Sequence, residues 1–230
     1  MIKNELHADS VFKYINGREL LTDCFLRCET GEVVGILGRN GCGKSTFLKI
    51  IFGTVDCHHK YVSINGKRYE APYKTAGLMA YLPQQPFLPG TLTVREVIDV
   101  FTDSEDEKNN VSDDEYIRPH LSQKVNALSG GERRYLEILL LVNSAAAFIL
   151  LDEPFNALDP LTKERVMLLI HAYRSKKGFI ITDHDYRHII AASDRIILVA
   201  NGSFQHIHAL TELEDKHYLP PGSLAFSGLI

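Results

Sequence analysis

Eight residues, Gly38-Arg39-Asn40-Gly41-Cys42-Gly43-Lys44-Ser45, constrain this chain more than any others. They fit the pattern of a glycine, four free positions and Gly-Lys-Ser. In a loop of this kind the glycines let successive backbone N–H groups turn inward around an anion, and no side chain blocks the approach. Lys44 is then placed to reach the β- and γ-phosphates of a nucleotide, and the Ser45 hydroxyl to ligate Mg²⁺. The pattern needs a strand before it and a helix after it, and both are expected here. Glu32–Leu37 is a short apolar, β-rich run. Lys44–Phe52 carries Phe47, Leu48, Ile51 and Phe52 at helical spacing, with Gly53 where a helix stops. A bulky group attached to Cys42 is expected to fill the phosphate cradle.

A chain of 230 residues with an apolar fraction of 45% has the length for one sizeable domain with its own core. Its formal charge of −4 and lack of a basic stripe argue against nucleic acid as a partner. The first residues have no apolar signal core, and the longest apolar zone, Ile138–Leu151, is interrupted by Asn143 and Ser144. It is too short to span a bilayer, so a cytosolic chain is expected. The cysteines have no zinc-type spacing: Cys24 and Cys28 read as buried thiols on one strand face. Cys57-His58-His59 reads as a turn with solvated imidazoles.

Strand-like and helical runs alternate over 33–37 and 44–52, over 148–151 and 162–173, and on to the strands 179–182 and 195–199. Such alternation predicts an α/β fold: a parallel sheet with crossover helices. The first thirty residues and Tyr61–Tyr69 carry the turn signals Asn16-Gly17 and Asn65-Gly66, which predict an antiparallel patch beside that core. Between Pro83 and Leu128 an amphipathic helix is expected over Val94–Phe101, and the acidic run Asp103–Glu115 reads as a solvated loop.

A second constellation completes a nucleotide site. The apolar run Ala147–Leu151 ends in Asp152-Glu153, two carboxylates past a strand end. Asp152 is placed to hold Mg²⁺ through water, and Glu153 to accept a proton from an attacking water. The third constellation is Leu128-Ser129-Gly130-Gly131-Glu132. Ser129 and Glu132 form a capping box for the helix bearing Tyr135, Ile138, Leu139 and Val142. Capping does not explain two consecutive glycines, which weaken a helix. They make sense where a helix N-terminus closely approaches an anion. One chain cannot bring this site and its own phosphate loop to a single nucleotide without special geometry, whereas two chains set head to tail can.

With these motifs in this order, the chain resembles an ATP-binding cassette ATPase, the nucleotide-binding subunit of an ABC transporter, over nearly its whole length. The resemblance implies a phosphate-loop NTPase (RecA-like) core with an antiparallel β patch and a small helical subdomain at about 86–127, all within one nucleotide-binding domain, 1–230. It implies that Gly38, Arg39, Asn40, Gly41, Cys42, Gly43, Lys44, Ser45 and Thr46 form the ATP-binding Walker A segment. Phe148–Asp152 matches the Walker B strand. Glu153 then matches the catalytic glutamate, and His184 the switch histidine at the γ-phosphate. Ser129, Gly130 and Gly131 would bind the ATP of a second subunit in trans. Asn156-Ala157-Leu158-Asp159 is similar to the D-loop. The metal set is Ser45, Asp152 and Gln84, with adjacent Gln85 the other choice for the Q-loop glutamine. Tyr14 or Phe12 would stack on adenine.

The segments Leu128–Arg134, Leu151–Phe155 and Thr182–Asp185 are also similar in wording to the ATPases of the lipopolysaccharide exporter and of branched-chain amino-acid importers. The resemblance therefore implies ATP and Mg²⁺ as cofactors, a nucleotide-dependent dimer with a second ABC subunit, and a separate transmembrane permease. It places the chain at the inner face of the cell membrane, held there through that partner. The alternative is a soluble, non-transport ABC ATPase acting on the ribosome or DNA. Such members resemble fused double cassettes or carry coiled coils or zinc modules, and none of these is visible in this sequence.

Overall fold

Three central strands are apolar at every position or nearly so, and each divides its side chains between two cores. In β3 (Val33–Gly38), Val34 and Ile36 face one side while Val33 and Leu37 face the other. The same alternation splits Phe148 and Leu150 from Ile149 and Leu151 in β7 (Phe148–Asp152), and Ile180 from Phe179 and Ile181 in β8 (Gly178–Thr182). Neighbouring residues on a strand point to opposite faces, so a continuous apolar run signals a sheet covered on both sides.

The computed structural model describes residues 3–226. Its main sheet has six strands in the order β10-β9-β3-β8-β7-β6, where β6 is Met79–Leu82, β9 is Arg195–Ala200 and β10 is Ser203–Ile207. All neighbours pair in parallel except β10, which returns antiparallel along β9. A second, antiparallel sheet has the order β2-β1-β4-β5, built from β1 (Glu5–Ile15), β2 (Arg18–Glu29), β4 (His59–Ile64) and β5 (Lys67–Arg68). The turns Asn16-Gly17 and Asn65-Gly66 both have positive φ at each residue, the geometry of a tight hairpin. The parallel core and the antiparallel patch expected from the sequence are both present.

Helix α1 (Lys44–Phe52) lies between the sheets, and its Phe47, Leu48, Ile50 and Ile51 fill the core shared with Leu6, Val11, Leu26 and Val62. Gly53 ends the helix in the left-handed region, φ 100°, and its N–H bonds Lys49 O at 3.0 Å. Cys24 and Cys28 are buried free thiols in this core, and burial pushes Cys24 up to about 12.

The opposite face of the main sheet is covered by α4 (Gly130–Asn143), α5 (Pro160–Arg174) and α6 (Tyr186–Ala192), together with α2 (Val94–Phe101). The acidic run departs from the sequence expectation: Glu105–Ser112 is a helix, α3. Ser104 caps it by accepting from Glu107 N–H, and Glu105, Asp106 and Glu107 occupy the first turn, where negative charge favours a helix. A single apolar anchor, Val111, is fully buried. Two four-residue helices, α7 (Glu212–Asp215) and α8 (Ser223–Phe226), follow β10.

Candidate functional site

The phosphate loop leads from β3 into α1, and its shape comes from glycine. Gly41 and Gly43 have φ of +77° and +105°, values that side-chain-bearing residues rarely adopt. A Cβ on Gly38 would stand 2.6 Å from Cys42 Sγ. Helices α2 to α6 each have a side chain accepting from an N-terminal N–H, but α1 has none and no acidic residue in its first turn. Its first N–H groups therefore lack a protein cap, and its positive dipole end is uncompensated. Lys44, 6% exposed, closes the loop on itself by donating to Gly38 O at 2.7 Å and Arg39 O at 3.3 Å.

Past the ends of β7 and β8 a set of polar side chains converges on this loop. Asp152 is fully buried and takes three hydroxyl donors: Ser45 at 2.8 Å, Thr182 at 2.9 Å and Tyr81 at 2.8 Å. Burial, reinforced by the Asp152 charge, holds the Tyr81 hydroxyl protonated far above its ordinary range. Glu153 turns out of the strand with φ +53°, an uncommon conformation for a residue with a Cβ. Its N–H donates to Thr182 O at 2.8 Å. Its carboxylate accepts from Gln84 Nε2 at 3.0 Å and Asn156 Nδ2 at 3.2 Å. Gln84 also donates to Ser45 Oγ at 3.1 Å. His184, half exposed, sits 3.3 Å from Asp183 Oδ1 through its Nδ1, and Asp183 is fixed by the N–H groups of Phe155 and Asp185.

Together these residues enclose a cleft of about 590 Å³ lined by Asn40, Gly41, Gly43–Thr46, Gln84, Glu153, Asn156 and His184, with Ile15 and Leu20 on the hairpin side. Its size is that of a small-ligand pocket. Of the adjacent glutamines, Gln84 lines it and Gln85 does not.

Two expectations, for the aromatic at adenine and for Cys42, are revised, while Ser129–Gly131 lie where a site used in trans leaves them. Neither Tyr14 nor Phe12 lines the cleft. The Tyr14 ring packs edge-on to His58, its hydroxyl donates to Glu19 at 3.2 Å, and Phe12 stands against His59. Tyr14 and Ile15 follow one another in unbroken register, so Tyr14 points away from the side that Ile15 presents. Cys42 belongs to the loop, but its sulfur is turned behind it, into a separate cavity of about 310 Å³ with Arg39, Val199 and Tyr218. A group on that sulfur would press on Val199 and Tyr218 and would not fill the cradle. Ser129, Gly130 and Gly131 line no part of the cleft. They begin α4, where Ser129 and Glu132 form the expected capping box.

Arg134 and Glu137 escaped the sequence reading. Arg134 donates to Pro83 O, Asp152 O, Glu153 O and, on its own helix, Glu137, so it ties α4 to two segments distant in sequence. Burial pulls its guanidinium down, against the pull of Glu137. The only available signal was a double Arg on a helix whose next turn carries an acid in the middle of an apolar stripe.

Comparison with known proteins agrees with this geometry. A family model described as ABC transporter matches residues 21–156. An uncharacterized ABC transporter ATP-binding protein of Rhizobium meliloti is 34% identical over 209 residues, 86% of this chain and 77% of the relative. The lipopolysaccharide export system ATP-binding protein LptB of Escherichia coli strain K12 is 31% identical over 226 residues, 92% of this chain and 94% of the relative. A solved ATP-binding subunit of an ABC transporter shares the fold with a TM-score of 0.81 at 24% identity, covering 97% of this chain and 98% of that one. A phosphate loop with an uncapped helix, a strand ending in two carboxylates and the matched family model agree: the chain belongs to the ABC transporter family and is an ATP-binding, ATP-hydrolysing cassette.

Proposed function

We propose that this cassette is the motor subunit of a transporter, hydrolysing MgATP at sites shared between two chains and driving a separate membrane-spanning partner. The observation that carries the chemistry is the Glu153 carboxylate. It is held between two amide donors, Gln84 and Asn156, on the wall of the same cleft as the uncapped end of α1. In this reading the phosphates of ATP take the free N–H groups of α1, and Lys44 leaves the carbonyls of Gly38 and Arg39 for the β- and γ-phosphates. Glu153 accepts a proton from the water as its oxygen attacks the γ-phosphorus. Asn156 keeps the carboxylate aimed, joined by Gln84 until its amide turns to a cation, and His184, steadied by Asp183, contacts the γ-phosphate.

The donor set suits Mg²⁺. Ser45, Asp152 and the side-chain carbonyl of Gln84 offer oxygen, and Mg²⁺ takes one or two protein oxygens together with phosphates and water. When bound, the ion supplies neutralisation of charge on the phosphates. In this structure Gln84 presents its NH₂ to Ser45, so its amide would turn over to offer oxygen to a cation.

The two-chain site is supported by Gly130. A Cβ there would meet nothing within 4 Å, and its φ is not in the left-handed region, so neither packing nor backbone geometry within this chain demands glycine. A demand for close approach then comes from outside the chain. The phosphate loop of a second chain, with its ATP, fits that demand, because Ser129–Gly131 lie off their own chain's cleft. A separate membrane partner accords with the finding that, among the described residues, no helix is long and apolar enough to cross a membrane. It accords as well with the export-system name of the LptB relatives.

Two measurements test this reading. Sedimentation of Glu153→Gln at micromolar concentration is expected to show monomer without nucleotide and dimer with MgATP. A strictly monomeric protein with ATP bound would remove the shared site. Mixing inactive Lys44→Ala with inactive Ser129→Arg is expected to restore part of the activity, because one of the two sites in a mixed dimer carries neither lesion.

A further inference from the structure

We propose that Arg134 is a positioning residue for ATP hydrolysis, holding the backbones that carry Glu153 and Gln84 in register from the helix that begins with Ser129–Gly131. Its Nη2 donates to Asp152 O at 2.9 Å and Glu153 O at 3.1 Å, the turn where Glu153 adopts φ +53°. Its Nη1 donates to Pro83 O at 2.7 Å and to Glu137 Oε2 at 3.2 Å. The other oxygen of Glu137 accepts the N–H of Phe87 at 2.9 Å. The pair therefore grips the loop on both sides of Gln84, at Pro83 and at Phe87. Arg134 is 7% exposed and Glu137 is fully buried, and neither lines the nucleotide cleft.

The geometry assigns a specific task. Gln84 and Glu153 bond each other across the cleft at 3.0 Å, yet they belong to chain segments 69 residues apart. A guanidinium has a rigid planar fork that can take several carbonyls at once, whereas an ammonium is a point donor on a flexible stem. Arg134 is one group bonding both segments. Because it stands one turn from Ser129–Gly131, a movement of α4 would carry the Glu153 carbonyl and the Gln84 loop with it. The catalytic carboxylate of one site is thereby tied to the helix end that faces the other.

The inference rests on Glu153 acting as the base, and the experiment separates the two claims. Arg134→Lys keeps the ion pair with Glu137 but loses the fork. Arg134→Met with Glu137→Met removes both buried charges together, which avoids leaving one unpaired. In each variant kcat is expected to fall about 10- to 100-fold through misplacement of the reacting groups, while KM for ATP changes little. In a Glu153→Gln background, measured by single turnover with radiolabelled ATP, the same changes are expected to cost about twofold or less, since groups acting through one another are not additive. Folding is followed by thermal melting, and Arg134→Lys supplies the readout should the double Met variant not fold. Unchanged kcat in a folded Arg134 variant would overturn the proposal, as would an equal loss in both backgrounds. If Glu153→Gln alone turns over normally, the base assignment fails, whatever Arg134 does.

Discussion

Glu153→Gln is expected to lower ATP turnover about 10²- to 10⁴-fold, the scale of a positioned general base, while ATP binding is retained. The exchange is close to isosteric, and the surroundings are built to keep the side chain in place. The backbone at φ +53° is held by Thr182 O and by Arg134, and the carboxylate contacts are two amides. Asn156 and Gln84 donate their N–H groups to Glu153, and a Gln at 153 can still accept through its one carbonyl oxygen. What it cannot do is take a proton. The change also removes a negative charge facing the γ-phosphate, so the ATP-bound dimer should persist long enough to isolate. Steady-state phosphate release together with filter binding of ATP checks both halves. Turnover near the wild-type rate would remove Glu153 from the base role.

Lys44→Ala is expected to weaken ATP binding about 10- to 100-fold, because a hydrogen bond to a charged group contributes ~1.5–3 kcal/mol and tenfold corresponds to ~1.4 kcal/mol. Lys44 has one role seen in the structure and a second in the proposed function. Without nucleotide its ammonium satisfies the carbonyls of Gly38 and Arg39, drawing the loop round an internal cation. In the proposed function that same ammonium is the charge that reaches the β- and γ-phosphates. The alanine variant loses both, so affinity should fall even for ADP, and titration with a fluorescent nucleotide measures it. Wild-type affinity in the variant would contradict the placement of Lys44 at the phosphates.

The parts legible in the sequence are those whose chemistry is local. The loop Gly38–Ser45 and its flanks, the strand running into Asp152-Glu153, and the capping box at Ser129 and Glu132 each lie within one short stretch with its own backbone logic. The central strands were legible for the same reason: two covered faces require apolar residues at every position. What stayed hidden depends on direction or distance. Acidic residues at 105–107 looked solvated because their charge was counted, although behind Ser104 that charge stabilises a helix start. Cys42 was read as facing the cradle because it stands inside the motif, yet the turns at Gly41 and Gly43 send its sulfur to the back. Tyr14 has the right character for a base-stacking platform, but strand parity puts it on the His58 side. The Arg134 contacts join residues 51, 18 and 19 positions away, and no spacing rule reaches that far.

The bare N-terminus of α1 has a thermodynamic consequence for the whole molecule. Helices α2 to α6 each bring their own cap, whereas α1 leaves that role to a ligand. Helix α1 is also the wedge between the two sheets, with Phe47, Leu48, Ile50 and Ile51 wholly buried. Fraying at its first turn is therefore communicated to the core and not confined to a surface loop. A ligand that binds only the folded chain adds RT ln(1 + [L]/Kd), ~2.7 kcal/mol at a hundredfold excess over Kd. Nucleotide occupancy and cohesion of the fold are thus one linked equilibrium: the cassette is at its loosest in the moment between releasing one nucleotide and taking up the next.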